Sequence, residues 1–138
     1  MRRHTLIGES MLSAAPALHA AARIVRSSHE RYDGRGYPDG LCGEQIPLAS
    51  RIVFVCDAFH AMTSDRPYGA AGTIEAALAE LSDCAGSQFD PAVVKAFRAE
   101  LARSGDPERF LEPDPQAEQA PLGAGRADQR HAHGQPAG

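Results

Sequence analysis

No stretch of this chain approaches the ~18 consecutive apolar residues that a membrane-spanning helix needs. Met1-Arg2-Arg3 is basic, but no apolar core follows it as in a secretory leader. The expected location is therefore the cytoplasm. Cysteine is scarce. Cys42, Cys56 and Cys84 are odd in number and form no C-x-x-C pair, which speaks against a zinc knuckle or a dithiol redox centre. Cys56 and Cys84 fall in apolar helical patterns and read as reduced core thiols. Basic blocks are missing too. The net charge of −4 is spread along the chain, which argues against a nucleic-acid polymer as the main partner. There is no internal repeat.

What is present divides unevenly. Residues 1–111 have the composition of a globular unit. Residues 112–138 carry eight Pro or Gly in 27 positions, with Leu122 as the one large aliphatic residue. Such a segment buries too little apolar surface to offset the entropy of ordering it, so disorder is expected there. The remaining unit of about 110 residues is small for a helical core, and marginal stability is expected.

Within it, Leu6, Ile7, Met11 and Leu12 form a helical stripe over Arg3–Ser13. Pro16 suits the start of a second helix, because its missing N–H has no partner in the first turn anyway. That helix runs to about Ser27. Residues 33–43 read DGRGYPDGLCG, with four glycines and a proline. Neither helix nor strand tolerates that density of breakers, and irregular stretches as long as 32–47 tend to be functional. Leu48–Met62 is apolar on nearly every side, the pattern of a helix central to a bundle. A short buried strand over RIVFV is the alternative, disfavoured by the length of the run and its alanines. Thr73 caps a helix to about Cys84, and Asp90-Pro91 caps another with Val93, Val94, Phe97 and Leu101 on one face. The expected fold class is all-α, with five helices and one long Gly/Pro-rich loop.

Several residues are candidates for chemistry. Asp57 lies in the most apolar helix, where an isolated charge is costly and demands a partner, a metal or neutralisation. By spacing alone, a structural ion pair and a metal ligand are about equally good accounts of it. His60 follows one turn later. His29 opens the loop in SHERYDGRGYP; a surface or capping histidine is the commoner reading of that position. Glu30 adds a second potential oxygen donor, but a solvated glutamate is the stronger reading. The order His29-Glu30-x-x-Asp33 is not H-E-x-x-H, which removes a zincin site. The glycines at 34, 36 and 40 fit neither the dinucleotide nor the P-loop spacing, and Pro38 removes an N–H from any phosphate cradle. His4 means little alone. His131 and His133 read as solvated residues of the tail.

Taken together, HERYDGRGYPDGLCGEQIPLASRIVFVCDAFHAMTSDRPY resembles the signature of the HD-GYP family, whose name comes from Gly36-Tyr37-Pro38. Ser87-Gln88-Phe89-Asp90-Pro91 resembles the family's closing element. The similarity covers about residues 2–101. It implies a partial HD-type helical bundle holding two or three divalent metals, iron or manganese above all, that hydrolyses cyclic di-GMP. Carried over position by position, it implies metal ligation by His4, His29 and Asp57, and phosphate contact by Arg66. Gly36, Tyr37 and Pro38 become an exposed interaction loop.

The departures from the family shape a second set of expectations. The His-Asp pair that gives the family its other letters belongs upstream of His4 and is not in this chain, so the N-terminal half of the domain reads as absent. Ser28 stands where a histidine is usual, and a hydroxyl is a poor ligand beside an imidazole. His60 replaces a usual aspartate, and Gly69 replaces a basic residue. Loss of ligands weakens a site steeply. The chain alone is expected to bind one metal at most, weakly, and to have little or no phosphodiesterase activity. The alternative is a non-catalytic module whose GYP loop binds a diguanylate cyclase domain. An apolar patch larger than a few hundred Å² is expected on the monomer, open to masking by a second copy of the chain.

Overall fold

The computed structural model describes residues 3–64 and 70–105. Five α-helices run through them: α1 His4–Ser13, α2 His19–Arg26, α3 Leu48–Thr63, α4 Ile74–Asp83 and α5 Pro91–Ser104. Among the described residues there is no strand, only isolated bridges between Asp33 and Cys42 and between Ala85 and Phe89. The all-α expectation therefore holds, and RIVFV is helical. Pro16 opens a single 3₁₀ turn, Pro16–Leu18, and α2 begins after it. No described helix is long and apolar enough to cross a membrane. The segment expected to be a disordered tail, with His131 and His133, lies outside the described residues, as does Arg66.

The core sits where α3, α4 and α5 meet. Val55 and Phe59 of α3, Ala77 and Leu81 of α4, and Val93, Val94 and Leu101 of α5 close around Phe89. Phe59 and Phe97 meet edge to face with ring centroids 5.0 Å apart. Each large aliphatic side chain fully buried here contributes roughly 1.5–3 kcal/mol. Both predicted caps form. The Thr73 hydroxyl accepts from Ala76 N–H, and the Asp90 carboxylate accepts from Ala92 and Val93 N–H.

Asp90 does more than cap. Its second oxygen takes the Arg51 guanidinium, whose Nε also donates to the Ile46 carbonyl at 3.0 Å. Asp90 is 4% exposed and Arg51 15%, so the pair is shielded from solvent and ties α3, α5 and the end of the long loop together.

The α1–α2 hairpin is a second packed unit. Gly8 permits it: a Cβ there would lie 2.8 Å from Val25 Cγ1. The hairpin joins the rest through buried Ala22 and through Ser50, whose hydroxyl donates to the Ile24 carbonyl at 3.0 Å.

Two expectations need correction. Helix α3 is apolar all round but is buried on one face only, by Ser50, Val55, Phe59 and Thr63. Leu48 and Ile52 are 56% and 44% exposed, because the described helices cover only the Val55 side. With Cys56, Val93 and Phe97 they line an open groove of about 440 Å³ between α3 and α5. Cys56 is accordingly exposed and not a core thiol, whereas Cys84 is half-buried and packs against the edge of the core. Exposed apolar side chains also mark α1, where Ile7 and Met11 face outward.

Candidate functional site

The loop between α2 and α3 is held from inside by Glu30. Its carboxylate is buried and accepts three backbone N–H groups, from Asp39 at 2.6 Å and from Gly40 and Leu41 at 3.1 Å each. Three donors converging on one anion satisfy loop amides that have no helix or sheet to pair with. The reading of Glu30 as a solvated side chain is thus corrected. Burial is affordable for this charge because the turn around it supplies the hydrogen bonds that water would have made.

From outside, Arg26 at the end of α2 grips the same turn. It donates to both oxygens of Asp39 at 2.7 Å, and its remaining nitrogen reaches Glu9 on α1. These partners push the Arg26 pKa upward and the Asp39 pKa down. The loop also docks on the segment before α5: Tyr32 N–H donates to Gln88 O at 3.1 Å and Asp33 N–H to Ser87 O at 2.8 Å. Arg31 pairs with Asp33 and holds its carboxyl down at about 2.

Inside this frame lies Gly36. A Cβ at Gly36 would collide with the main chain of Glu30 and Arg31, so the loop folds back on its own stem at a distance only glycine allows. The fold-back delivers the next residue, Tyr37, onto His29. Their rings stack at 16° with centroids 5.3 Å apart, and Tyr37 N–H donates to the His29 carbonyl at 3.2 Å. The Tyr37–Pro38 peptide is cis. His4, in the first turn of α1, meets the His29 ring edge to face at 4.9 Å. Phe54 of α3 approaches His29 from another side at 6.3 Å.

Asp57, on α3, belongs to the same neighbourhood electrostatically. The His29 pKa is lowered, first by desolvation and then by His4, while the charge of Asp57 acts in the opposite direction. Asp57 is nonetheless exposed, as is His60. The expectation of a buried aspartate whose charge demands compensation is corrected: the side chain faces the uncovered side of α3 and is free to be solvated. His4 is exposed and His29 half-buried. Gly36, Tyr37 and Pro38 are half-buried rather than exposed. Ser28 turns back on α2, its hydroxyl donating to Val25 O at 2.9 Å, and makes no approach as a ligand.

How far these residues suit a divalent metal follows from donor chemistry. An ion about 2.0–2.1 Å from a ring nitrogen lies about 3.2 Å from that ring's centroid, so imidazoles sharing it at ordinary angles have centroids about 4.5–5.2 Å apart. The His4–His29 spacing of 4.9 Å falls in that range. Among the described residues, however, no group of three His, Cys, Asp or Glu side chains is gathered closely enough to hold a metal. The centroid spacing of the imidazole pair meets this one requirement of a shared ion; Asp57 acts on His29 without completing a three-donor set.

Sequence reasoning misread Glu30 and missed Arg26 and Asp39. A glutamate directly before a glycine-rich loop is a usable signal for the first. An arginine in the last turn of a helix gives little sign of its partners, which lie 17 residues before and 13 after it.

The sequence profile of the HD domain family matches residues 1–93. The cyclic di-GMP phosphodiesterase response regulator RpfG of Xanthomonas campestris pv. campestris is 50% identical over 106 residues, covering 73% of this chain and 28% of that protein. A cyclic di-GMP phosphodiesterase of Thermotoga maritima is 43% identical over 99 residues, covering 70% and 27% respectively. Among solved structures, a cyclic GMP-AMP specific phosphodiesterase from V. cholerae superposes with a TM-score of 0.56 at 29% identity, covering 73% of this chain and 22% of that one. The chain thus spans just over a quarter of the length of the two curated relatives. With residues 1–93 matched and the Gly36-Tyr37-Pro38 loop folded over the histidine that precedes it, the chain belongs to the HD domain family, in its HD-GYP branch.

Proposed function

We propose that this chain forms part of a metal-dependent phosphohydrolase domain acting on the phosphodiester of a cyclic dinucleotide, with cyclic di-GMP as the first substrate to test. The observation that carries the reading is the meeting of His4 and His29, 4.9 Å apart, within the field of Asp57 and beneath the Tyr37 ring. Two imidazoles and a carboxylate are a donor set suited to manganese or iron. A divalent ion supplies Lewis acidity toward a phosphoryl oxygen when bound. The chain's own contribution is to hold His4 and His29 at a set spacing and to keep the loop folded over them. Arg66 is proposed as a phosphate contact.

Two imidazoles with one exposed carboxylate are few donors for a centre that handles both the attacking and the leaving oxygen. The 138 residues alone are therefore proposed to bind at most one ion, weakly, and to turn over little or no substrate. A regulatory role, with a diguanylate cyclase domain docked on the GYP loop, has less support. Gly36, Tyr37 and Pro38 are half-buried, and Tyr37 is engaged with His29.

The test is to titrate the purified chain with Mn²⁺ or anaerobic Fe²⁺ by calorimetry, and to follow cyclic di-GMP hydrolysis by chromatography. Weak binding at a stoichiometry of one or less, abolished in His29→Ala and His4→Ala, supports the reading. Binding that survives both substitutions overturns the metal assignment. Rapid hydrolysis by the chain alone overturns the inactivity.

A further inference from the structure

We infer that Tyr37 is a positioning residue: its aromatic face fixes the plane of the His29 imidazole, and so aims that ring at His4. The inference deepens the proposed function and rests on that reading for its catalytic meaning.

The argument begins with what His29 lacks. An imidazole turns easily about its last side-chain bond, whose preferred angles are broad. Ligand histidines are usually locked by donating the other ring N–H to a carboxylate, a carbonyl or water. Among the described residues His29 has ring contacts and charge interactions, but no hydrogen bond to either ring nitrogen. Its neighbours are aromatic. His4 and Phe54 touch it edge-on, at 75° and 78°, and neither presents a face along which the ring could lie. Tyr37 does, at 16°. Offset stacking at this separation is a favourable arrangement with a defined plane, so it supplies the orientation that a hydrogen bond supplies elsewhere.

A stacking partner can orient a ring only if it is itself held. Tyr37 is tethered to the His29 main chain by its own N–H. Just before it, Gly36 lies against the Glu30 and Arg31 backbone. Just after it, residues 39–41 are fastened by the Glu30 carboxylate, and the Asp39 side chain by Arg26. The tyrosine is therefore anchored on both flanks to the stem that carries His29.

The experiment reads the ring directly, in the full chain without metal, and then with Zn²⁺ as a diamagnetic probe. Proton and carbon NMR of the His29 ring is compared in wild type, Tyr37→Phe and Tyr37→Leu, with backbone spectra confirming the fold of each. Wild type should show nuclear Overhauser contacts from His29 to Tyr37, Phe54 and His4, with a rigid ring by ¹³C relaxation. Tyr37→Phe, which keeps the stacking face, should retain the His4 and Phe54 contacts and bind Zn²⁺ within about threefold of wild type. Tyr37→Leu should lose or average those contacts, loosen the ring and weaken Zn²⁺ binding roughly 10–100-fold, the range seen when ligand-orienting groups are removed. A His29 ring that stays rigid and keeps its His4 and Phe54 contacts in Tyr37→Leu overturns the inference. So does the absence of His29–Tyr37 contacts in wild type, a result that does not depend on any variant folding. If wild type binds no Zn²⁺, the metal reading falls, while the ring dynamics still decide the role of Tyr37.

Discussion

Replacing Glu30 by glutamine tests the internal brace of the loop with a change of one atom. In the native chain one carboxylate oxygen accepts from Asp39 and Gly40, and the other from Leu41. Glutamine can keep its oxygen on the two-donor side. Those two bonds then fall from charge-assisted to neutral, a loss of about 1 kcal/mol each. On the other side an NH₂ group faces the Leu41 N–H, donor against donor, which costs about 1–2 kcal/mol more for a buried amide left without an acceptor. Glu30 is only 2% exposed, so water does not repair the mismatch and little discount is due. The expected destabilisation is about 3–4 kcal/mol, or a fall in Tm of roughly 12–32 °C for a domain of this size. Thermal and urea unfolding by circular dichroism measure the global cost. Hydrogen exchange locates it, with the amides of residues 39–41 exchanging fastest. A Glu30→Gln chain within about 0.5 kcal/mol of wild type, the usual range for a surface substitution, would show that this carboxylate is solvated and that the loop is held by something else.

Three further outcomes follow from packing and charge. Gly8→Ala gains about 1 kcal/mol in helix propensity but drives a Cβ to 2.8 Å from stiff Val25, so the variant should be less stable by about 1 kcal/mol net, and Gly8→Ala with Val25→Ala should recover most of that loss in urea melts. Asp90→Ala removes a cap and strands the shielded Arg51 guanidinium, for a loss of about 3–5 kcal/mol; Asp90→Asn, which keeps the cap, should cost measurably less, and equal costs would mean that the cap carries nothing. The Asp33 carboxyl, lowered from 3.8 to about 2 by Arg31, favours the folded state above the ordinary carboxylate range, and that contribution disappears as pH falls from about 4 through 2. Carboxyl-carbon NMR should find its midpoint well below that of Asp33 in Arg31→Gln, and a shared midpoint near 3.8 would refute the pairing.

The helices were readable because their signals are local. The stripes of α4 and α5 and the caps at Thr73 and Asp90 each lie within one or two turns of sequence. The family motif was equally readable, since its residues are contiguous. The environment of Asp57 was not. A helix apolar on every side implies neighbours on every side, yet α3 meets described helices on the Val55–Phe59 face while Ile52, Cys56 and Asp57 stay open. Glu30 failed in the opposite sense. Glutamate is solvated at most positions, and only the three amides of a turn nine to eleven residues away make its burial favourable. Arg26 unites Glu9 and Asp39 across the hairpin, a long-range pairing that no local pattern encodes. At the site itself, His4 and His29 were chosen by motif. Their approach, and the tyrosine lying on one of them, required the loop to be folded.

Gly8 has a mechanical meaning beyond tight packing. It stands one helical turn beyond His4, on the same side of α1. The missing side chain thus acts as a notch that lets α1 seat against Val25. Any bulkier occupant would hold the two helices apart, one turn from the imidazole that meets His29.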